Sequence, residues 1–338
     1  MDQPNLPSLL NKINNFTKIA MLEKNDFKIL FTEYGARVLG VFKNNETNFL
    51  WVSPNIEDVM KGGEWNIGGL RIWISPERNF YYKDPINFRE WFCPKELDPN
   101  DFKIFEKNYN KVVFTGSFKL HDYINGEDLR GLIKREIKII SCRENMIKLS
   151  IIDSMITNII KTNINLWSLT QVNPEGSVII PVTEKAEPIH YFGPIPNERI
   201  RVIDNQIIFK IDGKYICKLG VRPEDFLHKG IARICYLHRV GDKWRYILKE
   251  TFDAPVSQEE CLDIPKYMPE GFRGAIQSYN SDTSLSFGEI ELQFHPAIPI
   301  GNNFISVVKY TIEFFEGGLE ECINNLKLRL GLKNIHLL

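Results

Sequence analysis

Short apolar runs rich in Ile, Val, Phe and Thr recur along almost the whole chain, separated by Gly, Asn, Asp and Pro. This spacing is typical of antiparallel β-structure, and helical periodicity is scarce. Within 201–220, the dipeptides 204–205 and 212–213 suit positive φ and predict two tight turns in a three-stranded meander. Further strands are predicted over 27–31, 36–42, 70–74, 111–119, 131–140, 146–155, 163–171, 230–236, 244–250, 285–294 and 304–314.

One helix is predicted at the carboxyl end, over about 317–331. Apolar residues there recur with the period of a helix that buries one face, so we expect it to pack on the outside of the sheets. No linker, charge block or repeat interrupts the chain, so residues 1–338 are predicted to form a single all-β domain with a core over about 18–316. The segment 76–110 is predicted to be a long loop that covers a site. The apolar helix positions are Leu319, Cys322, Ile323, Leu326 and Leu330.

Composition and charge exclude several classes of function. Lys and Arg total 42 and Asp and Glu 43, a formal net charge of −1, so we expect neither nucleic acid nor a membrane surface as a partner. No window approaches the about 20 apolar residues of a membrane span, and the first 15 residues lack the apolar region of a signal peptide. The six cysteines are scattered, which favours reduced thiols in a cytoplasmic protein. Without a nucleotide-binding glycine loop, a GxSxG elbow or an HExxH sequence, no cofactor and no metal are expected.

Three predicted strands collect polar or aromatic side chains on one face, because strand side chains alternate between the two faces of a sheet. Each set alone fits the solvated face of an amphipathic strand. The sets are Arg71 and Trp73; Asn163, Asn165, Trp167 and Gln171; and Glu289, Glu291, Gln293 and His295.

Taken together, these side chains have the chemistry of a carbohydrate site. A sugar presents both hydroxyl groups and apolar C–H patches, so planar amide, carboxylate and guanidinium groups combine with aromatic faces to bind it. The sequence therefore predicts a sugar or sugar derivative as the small-molecule partner, bound in one hollow on a sheet face. The residues predicted to line that hollow are Arg71, Trp73, Trp167, Gln171, Glu291 and Gln293, and Asn165 and Glu289 are further predicted sugar-binding residues.

The segment EIELQFHPAIP resembles the carboxyl-terminal motif of the galactose mutarotases (aldose 1-epimerases), with Glu291, Gln293 and Pro296 at the matching positions. The segments GGEWNIGGLRIWISPE, WSLTQV and YMPEG are similar to another branch of the same superfamily. The resemblance implies a galactose mutarotase-like β-supersandwich of antiparallel strands and an aldose 1-epimerase-like isomerase. In that family the motif Glu is the general base that takes the proton of the anomeric hydroxyl, a role that the resemblance gives to Glu291.

One departure from the family concerns the acid. Mutarotases carry a catalytic His in a middle strand, and the corresponding stretch NINLWSL, from Asn163, contains none. Opening a pyranose ring needs an acid at the ring oxygen acting in concert with the base. Glu77, just after the strand 70–74, and His190, in the loop EPIHYFGP, are the candidates for this acid. A non-catalytic carbohydrate-binding or sensing protein is the alternative.

Glu289 and Glu291 leave two further interpretations open. Carboxylates two residues apart on a strand lie about 6 to 7 Å from each other, which is near the separation in glycosidases, so hydrolysis or elimination on an oligosaccharide is a third candidate. With His295 the pair could also contact a hard cation. A second hydrogen-bond acceptor at Glu289 is the simpler interpretation.

Overall fold

A computed structural model describes residues 3–338 of the 338-residue chain, which form mainly β-structure. The α-helices are α1 (Leu6–Ile13), α2 (Ile56–Lys61), α3 (Glu77–Phe80) and α4 (Leu319–Leu330). The strands are β1 (Ile19–Lys24), β2 (Phe27–Thr32), β3 (Arg37–Lys43), β4 (Leu70–Ser75), β5 (Tyr82–Asp84), β6 (Arg89–Trp91), β7 (Lys103–Lys107), β8 (Lys111–Asp122), β9 (Glu127–Arg143), β10 (Met146–Asn158), β11 (Asn165–Val172), β12 (Gly176–Pro181), β13 (Ile189–His190), β14 (Ile200–Ile203), β15 (Gln206–Ile211), β16 (Cys217–Val221), β17 (Ala232–Val240), β18 (Lys243–Thr251), β19 (Ile276–Asn280), β20 (Gly288–Gln293), β21 (Ile298–Ile300) and β22 (Asn303–Gly317).

The chain divides into two compact units. The first contains the described residues up to Ile139, together with Ser150–Thr170 and Pro296–Lys309. The second contains Ile140–Leu149, Gln171–His295 and Tyr310–Leu338. The single domain predicted for residues 1–338 stays a prediction.

In the first unit, β1, β2, β3, β4 and β11 are successive neighbours in one sheet, and β10, β9, β8 and β7 in another. Helices α1 and α2 cover β2 and β3, and the apolar side chains of all four elements form one core cluster. Helix α1 was not predicted. It begins after Asn5, whose side chain accepts a hydrogen bond of 2.9 Å from the N–H of Ser8, and Pro7 in its first turn needs no hydrogen-bond partner for a backbone N–H.

In the second unit, β20, β19, β16 and β13 are successive neighbours in one sheet, and β14, β15, β12, β17, β18 and β22 in another. The predicted carboxyl-terminal helix is confirmed as α4. Its residues Cys322, Leu326 and Leu330 are buried against the apolar side chains of β17 and β18. Gly331, at φ 71, ends the helix in the left-handed conformation that glycine adopts without strain.

The predicted meander is half correct. The turn at Asp204 and Asn205 is confirmed, since both have positive φ, 48 and 60, and β14 pairs with β15 across it. The second turn is wrong, because β16 leaves β15 and pairs with β19 in the other sheet. The N–H groups of Asp212 and Gly213 both donate to Oδ1 of Asn280 at 2.9 Å, so a side chain of β19 holds the chain at this crossing.

The remaining strand predictions each overlap an observed strand. The segment 76–110 is not the uninterrupted loop that was predicted. It contains α3, β5, β6 and β7, and β5 pairs with β6 through Tyr82 opposite Trp91 and Asp84 opposite Arg89. The short β5–β6 hairpin presents Trp91 at the surface, where its side chain is 39% exposed.

Candidate functional site

Strands β4 and β11 of the first unit place Arg71, Trp73 and Trp167 on one face. Trp73 lies opposite Trp167, and Arg71 lies opposite Leu169. Residues that are directly opposite in an antiparallel pair share a face, which agrees with the predicted alternation. The Trp73 and Trp167 rings meet edge to face with 5.7 Å between centroids.

These residues belong to an aromatic group that we call the tryptophan cluster, comprising Trp65, Arg71, Trp73, Tyr81, Trp91 and Trp167. The Arg71 guanidinium carbon lies over the rings of Trp73, at 4.2 Å from the centroid, and Trp65, at 4.9 Å. A guanidinium stacked on indole rings combines cation–π attraction with planar packing. The cluster therefore places a delocalised cation among aromatic rings.

Burial changes the roles expected of the tryptophans. Trp73 and Trp167, predicted to stack on a sugar, are 2% and 1% exposed, because Arg71 and neighbouring rings cover them. Trp65 is half-buried and Trp91 is exposed, with 5.6 Å between their ring centroids. Within the first unit, the accessible aromatic surface of this cluster thus belongs to Trp65 and Trp91, which sequence reasoning missed.

The buried carboxylate of Asp98 contacts two members of the tryptophan cluster, Trp73 and Arg71. It accepts hydrogen bonds from Arg37, at 2.6 and 2.8 Å, and from the indole N–H of Trp73, at 2.8 Å. The Arg71 Nε lies 4.0 Å away. Burial lowers the pKa of Arg37, and the charge of Asp98 opposes that effect. Asp98 and Arg37 were not predicted, since their pairing joins positions 61 residues apart in the chain.

The glycines of GGLRIW let β4 begin directly beside its neighbours. Gly68 and Gly69 have φ of 106 and 80. A Cβ at Gly68 would lie 2.3 Å from the carbonyl oxygen of Trp51, and one at Gly69 would lie 2.4 Å from that of Val38. Only glycine fits both the backbone conformation and the space, so this motif positions Arg71 and Trp73 through backbone packing.

Glu77 and Asn165 lie at the same end of β4 and β11. Asn165 is buried opposite Ser75. Glu77 begins α3, and its Oε1 accepts a hydrogen bond of 2.8 Å from the indole N–H of Trp91. The candidate acid Glu77 is therefore held against the exposed tryptophan of the cluster.

The second unit contains a different charged group on β16, β19 and β20. Gly220, Gln277 and Glu291 lie opposite one another in one row across these strands, and Lys218, Tyr279 and Glu289 in the next. Both rows share a face, because they are two residues apart on each strand. We call Tyr191, Lys218, Asp263, Gln277, Glu289 and Glu291 the Glu291 cluster.

Lys218 is the cation at the centre of the Glu291 cluster. Its Nζ lies 3.2 Å from Oε2 of Glu291 and 3.8 Å from Oδ2 of Asp263. All three side chains are buried. The position was missed in the sequence, although Lys218 is the one charged residue in the apolar strand CKLGV.

The surroundings of the Glu291 carboxyl group shift its pKa towards neutrality. Burial raises its pKa to about 7, Lys218 opposes this shift, and the negative charge of Glu289 adds to it. A carboxyl group with a pKa near neutrality can both take and return a proton at physiological pH. The environment of Glu291, and not its residue type, therefore sets this pKa.

Tyr191 is a buried hydrogen-bonding residue of the Glu291 cluster. Its hydroxyl accepts hydrogen bonds of 2.9 Å from the N–H of Gly274 and from Nε2 of Gln277, and Lys218 Nζ lies 5.4 Å from its ring centroid. Burial raises the pKa of Tyr191 well above its usual value. Tyr191 thus acts as a neutral hydrogen-bonding centre that joins the loop before β19 to the sheet.

The strand register separates the candidate acid His190 from Glu291. His190 lies opposite Leu219, whose row continues through Ser278 to Ile290, on the other face from Glu291. Its Nδ1 accepts a hydrogen bond of 2.8 Å from the N–H of Ile195, and burial lowers its pKa. The structure therefore does not bring His190 to Glu291.

The other predicted residues of the second unit are Gln171, Gln293 and His295. Gln171 and Gln293 are buried, and Gln293 alternates onto the same strand face as Glu291. The backbone N–H of His295 donates to the carbonyl oxygen of Asp253 at 2.9 Å. The predicted convergence of all these residues with Arg71 on one hollow stays a prediction.

Two features of the described residues bear on metal and membrane binding. Across residues 3–338, no group of three or more His, Cys, Asp or Glu side chains is arranged to hold a metal ion. None of the helices over that range is long and apolar enough to cross a membrane.

The chain belongs to a defined protein family. Residues 7–231, more than half of the sequence, match the model of the Family of unknown function (DUF6786). A comparison with curated proteins found no match.

Two solved structures have a similar fold. A candidate aldose 1-epimerase from Escherichia coli K12 matches with a TM-score of 0.53 at 11% identity, over 90% of this chain and 100% of that one. A candidate aldose 1-epimerase from Klebsiella pneumoniae matches with a TM-score of 0.54 at 10% identity, over 93% of this chain and 83% of that one. The protein therefore has the antiparallel β-sandwich fold of the galactose mutarotase-like proteins, and the predicted fold class is confirmed.

Proposed function

We propose that the protein is an aldose 1-epimerase-like isomerase that uses Glu291 as the base at the anomeric hydroxyl of a sugar. The observation that carries the proposal is the buried Glu291 carboxyl group, whose pKa burial raises to about 7, on a strand face shared with Lys218 and Glu289. The fold and the EIELQFHPAIP motif support the same reaction class, and a fold alone does not define an activity.

The base takes the proton from the anomeric hydroxyl as the ring opens, and it returns a proton when the ring closes on the other face. Glu289 and Gln293 are assigned to sugar hydroxyls, because they flank Glu291 on its strand face and supply acceptor and donor groups. In the first unit, Arg71 and Asn165 lie with Trp73 and Trp167 on one strand face, but all four are buried. The aromatic surface open to a sugar there is that of Trp65 and Trp91.

Anomer exchange tests this function directly. Wild-type protein is added to a panel of aldoses, and the exchange between their α and β anomers is followed by saturation-transfer NMR. We expect acceleration with at least one aldose, and a rate that rises with pH through about 7 as the Glu291 carboxylate forms. Glu291→Gln should lower that rate by about 10²-fold or more. Glu57→Gln, at an exposed carboxylate on α2, controls for the loss of one negative charge.

Failure of the wild-type protein to accelerate exchange of any aldose would refute the isomerase. A non-catalytic sugar-binding protein is the second candidate, favoured by the absence of a histidine from the stretch 163–169. Saturation of a sugar signal by binding, without faster exchange, supports that candidate. New reducing ends or unsaturated products from an oligosaccharide would instead support hydrolysis or elimination.

A further inference from the structure

We infer that Lys218 is the acid that protonates the ring oxygen while Glu291 takes the anomeric proton. The inference rests on the proposed isomerase function and adds the catalytic partner that the missing strand histidine leaves open. It assigns a role to a side chain of β16 that neither the motif resemblance nor the strand alternation singled out.

The geometry of a pyranose restricts where the acid can lie. The anomeric hydroxyl and the ring oxygen are bonded to the same carbon, so the groups that exchange protons with them must be close together. Lys218 Nζ lies 3.2 Å from Oε2 of Glu291, and the two residues approach from neighbouring rows of one strand face. The pair therefore presents a proton donor and a proton acceptor side by side, where both could reach the two oxygens of one anomeric carbon.

Lys218 lies among carboxylates and aromatic rings, away from bulk water. It is 3% exposed. Asp263 lies 3.8 Å away, and the rings of Tyr191 and Phe192 lie 5.4 and 6.0 Å from the Nζ. Carboxylates and aromatic faces attract an ammonium group, and a lysine stem can rotate its three donors towards a ligand. Lys218 is thus a proton donor held next to the base.

The two acids considered from sequence are placed differently. His190 lies on the opposite face of the register from Glu291, and its Nδ1 accepts the Ile195 N–H. The Glu77 carboxylate is held by the Trp91 indole in the first unit. Of the groups with transferable protons in the second unit, the structure places Lys218 in direct contact with the base.

The proposed step balances with these two side chains alone. The Glu291 carboxylate takes the hydroxyl proton, the carbonyl bond forms at the anomeric carbon, and the bond from that carbon to the ring oxygen breaks. Lys218 gives a proton to the departing ring oxygen and becomes a neutral amine. After rotation of the aldehyde, the ring hydroxyl returns its proton to Lys218 as the ring closes, and Glu291 protonates the new anomeric oxygen.

Lys218→Arg separates proton donation from charge. Arginine keeps a positive charge beside Glu291 but does not give up a proton in proteins. We expect kcat for anomer exchange to fall about 10²- to 10⁴-fold, with KM changed only a few-fold. The matched control is Lys249→Arg, at a lysine of β18 that is also buried but whose Nζ contacts the carbonyl oxygen of Ile290 at 3.3 Å. The control should keep the wild-type kcat.

Lys218→Ala adds a chemical rescue. Methylammonium or ammonium supplied in solution should restore part of the lost rate in this variant and leave Lys249→Ala unchanged. In the wild-type protein, kcat corrected for the uncatalysed reaction should also fall at alkaline pH as the acid loses its proton, a measurement that needs no variant to fold.

The outcomes distinguish the two proposals. If the wild-type protein accelerates no aldose, the isomerase itself fails. If it is active, the assignment of Lys218 is overturned by any one of three results: wild-type kcat in folded Lys218→Arg, no rescue of folded Lys218→Ala by either amine, or a wild-type rate that does not fall at alkaline pH. Circular dichroism of each variant shows whether it is folded.

Discussion

Replacing Glu291 with glutamine should change how the free energy of unfolding depends on pH. The carboxyl group is buried among Lys218, Glu289 and Asp263, and its pKa is raised from 4.5 to about 7 in the folded protein. Because the folded state holds this proton more tightly than the unfolded chain, the folded state binds more protons between about pH 4.5 and 7. The free energy of unfolding must therefore decrease as pH rises through this interval.

The magnitude follows from the size of the shift. One pKa unit corresponds to about 1.4 kcal/mol, so a shift from 4.5 to about 7 corresponds to a loss of about 3 kcal/mol between its two ends. Glutamine does not titrate. The wild-type protein should therefore lose about 3 kcal/mol relative to Glu291→Gln between pH 4.5 and 7.5.

Urea unfolding of both proteins at half-unit steps from pH 4.5 to 8 measures this difference. The comparison at each pH cancels the titration of all other groups to first order, and Glu57→Gln controls for the loss of one carboxylate at an exposed position. A difference between wild type and Glu291→Gln that is constant over this range, or that changes in the opposite direction, would refute the raised pKa and with it the acid–base role.

Three further predictions concern the first unit. Gly68→Ala should lower the free energy of unfolding by about 2 kcal/mol or more, because its φ is 106 and a Cβ would lie 2.3 Å from a carbonyl oxygen; urea unfolding that shows a change under 0.5 kcal/mol contradicts this. Asp98→Asn should cost about 3 to 5 kcal/mol in the same assay, since it leaves the buried Arg37 charge without its carboxylate, and an unchanged midpoint would show that the pair is not stabilising. Trp91→Ala should weaken sugar binding by the exposed aromatic surface of the first unit about threefold to tenfold by calorimetry, whereas Tyr109→Ala, at a side chain 83% exposed, should not; equal affinities in both variants would show that Trp91 does not contact sugar.

Local patterns in the sequence predicted most of the strands and the carboxyl-terminal helix. The alternation in LRIWIS correctly placed Arg71 and Trp73 on one face of β4, because a strand's period of two holds wherever the chain is extended. The turn at Asp204 and Asn205 was also predicted correctly, because Asp and Asn tolerate the positive φ that this turn requires. Asp212 and Gly213 are also residue types that suit a tight turn, but in the structure the chain crosses from one sheet to the other at this point.

The contacts within the candidate site could not be predicted from local patterns. Lys218 and Asp263 lie 45 positions apart, and nothing local in either segment indicates that they flank Glu291. The burial of Trp73 depends also on Trp65 and Trp167, which lie outside its own strand β4. Contacts of this kind depend on the sheet order, which hydrophobic periodicity does not encode.

The sequence by itself determined the β-rich class, the strand faces and the identity of Glu291 as the residue in the motif, because these depend on alternation and short segments. Only the tertiary structure decided which cation contacts Glu291, which tryptophans remain accessible and on which face His190 lies. The physical reason is that the protonation of a carboxyl group depends on its desolvation and on nearby charges. Both are properties of the packed strands and not of the residues taken one at a time.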